Sequence, residues 1–331
     1  MPRAWVARDA SFSKRSESGG REMTNDVEIR GALATSPPAQ LPRRIAVGVD
    51  GFSTGEDAAV LGRLLSEAAG AELILIAVHP DPIIVMPAEA TRKGLHDQAQ
   101  RFLTITRTSR APSARTKVEV GASIPRALLR AIARERCDML VLGSNRRAPK
   151  GEVQIASATR QLLGQAGWPL AIAPRGLADT APERLSRIAV GYDGEPESQA
   201  ALCLAAAIAE RSGASLEVVA VVDDRLPAYG ASRVPAASAA AWDALLEPDR
   251  AELEGKVRAA TQLPLVSTEV RAELGEPAGV LKKLSEDVDL IVIGSRRWGT
   301  LARVLLGSTG EEVLRGARCP VLVAARPNRD S

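Results

Sequence analysis

Aromatic side chains are scarce in this chain: Phe, Tyr and Trp together make up 3% of its 331 residues. Proteins that grip single-stranded nucleic acid need aromatic platforms on which bases stack. A net charge of +3, from 43 basic and 40 acidic residues, leaves no basic footprint for a phosphate backbone either. Nucleic acid is therefore set aside as a partner. Histidine is almost missing. His79 and His96 are the only two, and neither has companions at the spacing of a catalytic triad or a metal site. His79 closes an apolar run at the edge of an expected pocket and reads as a local polar residue. The three cysteines, Cys137, Cys203 and Cys319, show neither metal-ligand spacing nor a pairing pattern. They read as small buried hydrophobes, which suits a reducing compartment. No apolar run reaches the length of a membrane span, and the N-terminal stretch lacks the apolar core of a signal peptide. The expected location is cytoplasmic, with no membrane partner. No Gly-x4-Gly-Lys-Ser/Thr loop occurs, which removes P-loop phosphoryl chemistry.

What the chain does have is repetition. RRIAVGVDG, from Arg43, returns as SRIAVGYDG. Asp50 and Asp193 lie 143 residues apart, as do Gly70 and Gly213. CDMLVLGSNRR from Cys137 is echoed by VDLIVIGSRRW from Val288, and WPLAIAPR from Trp168 by CPVLVAAR from Cys319, both at an offset of 151. The matches keep the same order in both halves, so a whole domain has been duplicated. Residues 1–42, rich in Ser, Arg, Gly and Pro and without periodicity, read as a disordered tail that contains a second methionine, Met23. Copy one then spans 43–175, a linker 176–186, copy two 187–326, and a short tail 327–331.

Within copy two, strands are expected at 187–192, 215–222, 265–271, 289–293 and 320–324, and helices at 196–212, 236–261, 277–286 and 308–317. The strands are continuous apolar runs such as LIVIG, as a parallel sheet covered on both faces requires. Their alternation with helices predicts an α/β, doubly wound domain in each copy. Ser53 with Glu56, and Ser308 with Glu311, spell capping boxes. Pro196 suits a first helical turn, and Gly70 and Gly213 stand where left-handed helix terminators belong.

Open parallel sheets bind ligands beyond the carboxyl ends of their strands. In copy two those ends carry Asp193, Val221 and the stretch GSRRWGTLARVLLGST from Gly294 to Thr309. This stretch resembles the ATP motif of universal stress proteins, Gly-x2-Gly-x9-Gly-Ser/Thr. Gly294 matches its first position, and Gly307 and Ser308 its last two, at the required separation of 13. Arg297 stands at the second glycine. Two roles are open to it: a phosphate contact, or a side chain filling the space a glycine leaves. Trp298 beside it is either a base-stacking or a surface tryptophan. The resemblance implies five-stranded sheets in the order 3-2-1-4-5 with about four helices per domain, and pairing of domains through the last strand, within a chain or between two chains as a homodimer. It also implies an adenine nucleotide, ATP with or without Mg, held by Asp193, Val221, Gly294, Arg297, Gly307, Ser308 and Thr309.

Copy one departs further. Arg146 replaces the second glycine, Ala156 the third, and Arg160 stands in the place of Glu311. Copy one therefore reads as a structural partner and copy two as the ligand-binding half of a non-enzymatic stress-response module. Two rivals remain open: a weak ATPase or nucleotidyl-transferring enzyme of the same fold, and a scaffold whose pockets are filled by Arg146 and Arg297.

Overall fold

A computed structural model describes residues 41–79, 89–165, 167–222, 251, 267–297, 304–305 and 307–325. Apart from Leu41, Pro42 and Ala251, the expected tails and the helix expected at 236–261 lie outside the described residues, as does Trp298. Copy one runs β1 (Arg44–Val49), α1 (Ser53–Ala69), β2 (Glu72–His79), α2 (Glu89–Arg110), β3 (Arg115–Val120), α3 (Ile124–Glu135), β4 (Met139–Gly143), α4 (Ser157–Leu163) and β5 (Leu170–Ala173). A short helix, α5 (Leu177–Thr180), leads into copy two. There follow β6 (Arg187–Tyr192), α6 (Pro196–Ser212), β7 (Ser215–Val222), β8 (Thr268–Leu274), α7 (Pro277–Leu284) and β9 (Leu290–Gly294). The chain ends in a ribbon of β10 (Arg296–Arg297) with β11 (Val304–Leu305), then α8 (Ser308–Val313) and β12 (Val321–Ala324).

Among the described residues, all strands but β10 and β11 form one sheet of ten, ordered β3-β2-β1-β4-β5-β12-β9-β6-β7-β8. Each half has the expected 3-2-1-4-5 order and is parallel throughout. The halves meet through β5 and β12, which pair antiparallel. Their register sets Ala171 opposite Leu322, and these residues occupy equivalent positions at the offset of 151. A pseudo-twofold axis therefore passes between them. Both strands are fully buried. The core beneath them is shared: Leu162, Leu170 and Ile172 of copy one belong to one cluster with Val313, Leu314, Val321 and Val323 of copy two. Val153 of copy one is buried here too, and its N–H donates to the carbonyl of Ala317 at 2.9 Å. Arg160 and Glu311, equivalent to each other, face across the axis as an ion pair at 3.6 Å.

Two devices outside the apolar pattern set the chain's path. Asp138, just before β4, accepts the N–H groups of Arg43 (2.9 Å) and Arg44 (3.0 Å) at the start of β1. Asp289 does the same in copy two for Ser186 (2.7 Å) and Arg187 (2.9 Å). The linker is anchored. Buried Asp57 on α1 accepts the N–H groups of Gly176 and Ala178, both at 2.8 Å, and Arg110 donates to the Ala178 carbonyl at 3.2 Å. Burial raises the Asp57 carboxyl above its ordinary range, against the pull of these two donors.

Gly70 (φ 66°) and Gly213 (φ 69°) do terminate α1 and α6 in the left-handed conformation. The capping boxes do not form. Ser53 and Ser308 lie one place inside their helices, the capping positions belong to Phe52 and Gly307, and neither cap makes a side-chain bond. The partner glutamates turn to arginines instead, Glu56 to Arg110 at 2.9 Å and Glu311 to Arg160 and Arg315. The third strand of copy two, expected at 265–271, is described from Thr268 to Leu274, where Gly275 (φ 145°) ends it, and residues 265 and 266 lie outside the described residues. Cys137 and Cys319 are buried as expected, Cys203 half-buried. Burial pushes the Cys137 thiol up to about 11, and that of Cys319 higher still, so both stay protonated.

Asp57→Ala leaves two N–H groups of the linker without their acceptor. The expected loss is about 1–3 kcal/mol of stability in urea unfolding, with faster proteolysis between copies; unchanged stability and proteolysis would rule out this anchoring.

Candidate functional site

At the carboxyl edge of copy two's half-sheet lies a cavity of about 600 Å³. It opens where β6, β7 and β9 end and where α6, α7 and α8 begin. It gathers Asp193, Val221, Gly294, Gly307, Ser308 and Thr309, six of the seven residues expected there. The seventh, Arg297, has its backbone in the β10–β11 ribbon opposite Val304, and its side chain lies outside the described residues. Its backbone is extended, a conformation that any residue adopts.

Asp193 begins the turn after β6. One of its carboxylate oxygens accepts the N–H of Glu195 at 3.1 Å, and Gly194 follows at φ 83°. Asp50 repeats this turn in copy one, accepting the Phe52 N–H at 3.1 Å. The aspartate thus shapes the loop in both copies, whatever else it does. Half-buried Val221 sits at the end of β7 and joins Val219, Leu281 and Ile293 in an apolar wall. In α8 the Glu311 N–H makes the first helical bond, to the Gly307 carbonyl at 2.9 Å. Ahead of it, the N–H groups of Ser308, Thr309 and Gly310 fall in the turn that has no intrahelical acceptors, and all three residues line the cavity.

The two motif glycines differ in kind. A Cβ on Gly294 would stand 2.6 Å from the Glu197 carbonyl, and one on Gly143 would stand 2.1 Å from the Thr54 carbonyl oxygen. Packing of β9 and β4 against the first turns of α6 and α1 therefore demands glycine. Gly307, by contrast, has φ −66° and ψ 169°. Ala156, its equivalent, has φ −75° and ψ 164°. Any residue adopts this conformation, so the alanine of copy one does not disturb the backbone.

Sequence reasoning missed several lining groups. Tyr192, Glu195, Glu197, Pro277 and Leu281 all face this cavity. Tyr192 is largely buried, its hydroxyl donates to Gln199 at 3.2 Å, and burial raises its pKa. Pro277 had a readable signal, because a proline that opens the helix after strand three must sit at this edge.

A family model described as the universal stress protein family matches the chain twice, over residues 42–174 and 185–325. The chain belongs to the universal stress protein family. A universal stress protein of Mycobacterium tuberculosis is 29% identical over 295 residues, covering 85% of this chain and 96% of its own length. A putative universal stress protein of Staphylococcus haemolyticus is 32% identical over 144 residues, covering 41% of this chain and 82% of its own. A solved universal stress protein structure from Archaeoglobus fulgidus aligns with a TM-score of 0.60 at 18% identity, covering 86% of this chain and 99% of its own, and supports the fold.

This universal stress protein also keeps a cavity in copy one, of about 360 Å³, between the ends of β1, β2 and β4. Arg146 lines it without filling it, and its guanidinium lies 4.1 Å above the ring of Phe52. His79 is buried but does not reach this cavity. It meets His96 edge to face, with 6.1 Å between ring centroids, on the other side of β2, while Val78 lines the cavity. Among the described residues, no helix is long and apolar enough to cross a membrane.

Gly294→Ala should cost about 1–3 kcal/mol through overpacking, whereas Gly307→Ala should leave stability nearly unchanged. Thermal unfolding of the two variants checks this contrast, and equal losses would overturn the assignment.

Proposed function

We propose that this universal stress protein binds adenine nucleotide, ATP in the first instance, in the cavity of copy two, and uses it as a ligand rather than a substrate. The supporting observation is that strand ends and helix starts far apart in the sequence bring the motif residues to one cavity. The apolar wall of Val221, Val219 and Leu281 suits a base. The N–H groups at the start of α8, with the hydroxyls of Ser308 and Thr309, suit phosphate oxygens. Asp193 suits a ribose hydroxyl. Arg297 would approach the same ligand from the ribbon.

Mg²⁺ enters this reading only as a companion of the phosphates. Among the described residues, no group of three or more His, Cys, Asp or Glu side chains is arranged to hold a metal ion. Bound nucleotide would act by favouring one conformation or association state over another. The module works through partners or through pairing of copies, of which β5–β12 is the intrachain instance.

One observation favours an enzymatic second reading: Asp193, Glu195 and Glu197 all line the cavity. A carboxylate beside the phosphates can serve as general base toward an attacking water or hydroxyl. Phosphate release above background that disappears in Asp193→Ala or Glu197→Ala would establish it.

Calorimetric titration with ATP tests the leading reading. Binding is expected in the micromolar to millimolar range, about 4–8 kcal/mol. Val221→Trp should abolish it by filling the wall, and Ser308→Ala should weaken it by up to about tenfold. No heat at millimolar nucleotide would sink the proposal.

A further inference from the structure

We propose that copy one carries a ligand site of its own, for a compact apolar acid: one carboxylate on an aromatic or branched body. Four observations converge on it. The cavity persists, at about 360 Å³ against about 600 Å³ in copy two, so a smaller body fits. Its walls are the aliphatic side chains of Ile76, Val78, Leu128 and Leu142, with Ile124 at the rim, 54% exposed. Ile76, Leu128 and Leu142 are themselves buried, so the apolar surface a ligand would cover belongs mainly to half-buried Val78 and exposed Ile124, and covering it favours an apolar body.

Arg146 is the third. Its guanidinium is held against Phe52, itself 53% exposed. Among the described residues no hydrogen bond or ion pair uses its donors. Stacking occupies the face of a guanidinium and leaves its N–H edge for a planar, two-oxygen acceptor, which a carboxylate supplies.

The fourth is the change of field between copies. At the offset of 143, the cavity-lining Glu195 and Glu197 of copy two correspond to Phe52 and Thr54 in copy one. Copy one's cavity keeps Asp50, whose carboxylate is engaged by the Phe52 N–H at 3.1 Å and the Thr54 hydroxyl at 3.3 Å. It holds the free donors of Arg146, equivalent to Arg297 of copy two, and lacks the two glutamates. A monoanion is therefore favoured in copy one. One arginine with its donors unshared matches a single carboxylate, and the smaller cavity limits the body that carries it. Phe52 and Thr54, where copy two has Glu195 and Glu197, are the differences that fit the pocket of copy one to a different ligand.

The test uses the full chain, with phenylacetate as probe and 2-phenylacetamide as its uncharged counterpart, followed by ligand-observed NMR and thermal shift. Phenylacetate should bind saturably at or below about 10 mM, a modest affinity for so small a ligand. The amide should bind about tenfold more weakly or worse, and Arg146→Met should lose a similar factor without change in the unliganded Tm. Phe52→Leu should weaken binding less, by loosening the arginine, and Val221→Trp should leave it unchanged. Equal binding of acid and amide, full retention in Arg146→Met, or loss in Val221→Trp each overturns the proposal. So does absence of binding by both phenylacetate and 4-methylpentanoate. AMP binding that depends on Arg146 while phenylacetate does not bind would make the site a nucleotide site and overturn the assigned ligand class.

Discussion

The antiparallel pairing of β5 with β12 is the constraint on which the rest of the molecule depends. Each copy alone ends its sheet on a short, wholly apolar strand, and neither could leave that edge in water. Joining the two edges makes one sheet, merges the cores beneath them and fixes a pseudo-twofold axis through Ala171 and Leu322. A small and a large residue meet at the axis, and so do a cation and an anion, Arg160 and Glu311. Two copies of either half would instead set like against like at both places. Densely packed interiors respond to such changes in volume. The two halves have thus diverged into complementary partners, while the outer edges, β3 and β8, carry Arg115, Lys117, Glu119, Glu269, Arg271 and Glu273, the charges that discourage further pairing.

Much of this architecture was legible in the sequence, for a physical reason. Strands buried on both faces must be continuous apolar runs, and such runs returned at fixed offsets. Elements that rest on side chains meeting across long separations left no local trace. The clamps of Asp138 and Asp289, the anchoring of the linker by Asp57, and the pair Arg160–Glu311 are of this kind. Local signals also misled at the scale of one residue: Ser53 and Ser308 each carried a capping pattern but fall just inside the helix. The ribbon β10–β11 has two residues in each strand, too few to show periodicity.

The site was legible in outline, because a parallel sheet exposes the same edge of each strand. Its electrostatics were not. Glu195 and Glu197 follow a turn and open a helix, an ordinary place for acidic residues, and only the assembled cavity reveals that they face a common space. Arg146 shows the converse. Read as a motif position it was a lost glycine; in the fold it is a cation without a hydrogen-bonding partner among the described residues. The motif's first glycine answers to packing in both copies, so its presence separates a ligand-binding half from a non-binding one poorly.

The joined edge also bears on chains that end early. A product that stops before β12 would hold Leu170–Ala173, four buried apolar residues, as an open and flat strand edge. Such an edge is a template for strand addition by any neighbour with the same exposed segment. The intact chain brings its own partner strand at a high effective concentration, independent of how dilute the protein is. Duplication within one polypeptide thus removes a concentration-dependent assembly step, and makes completion of the last four-residue strand the event that closes the molecule against itself.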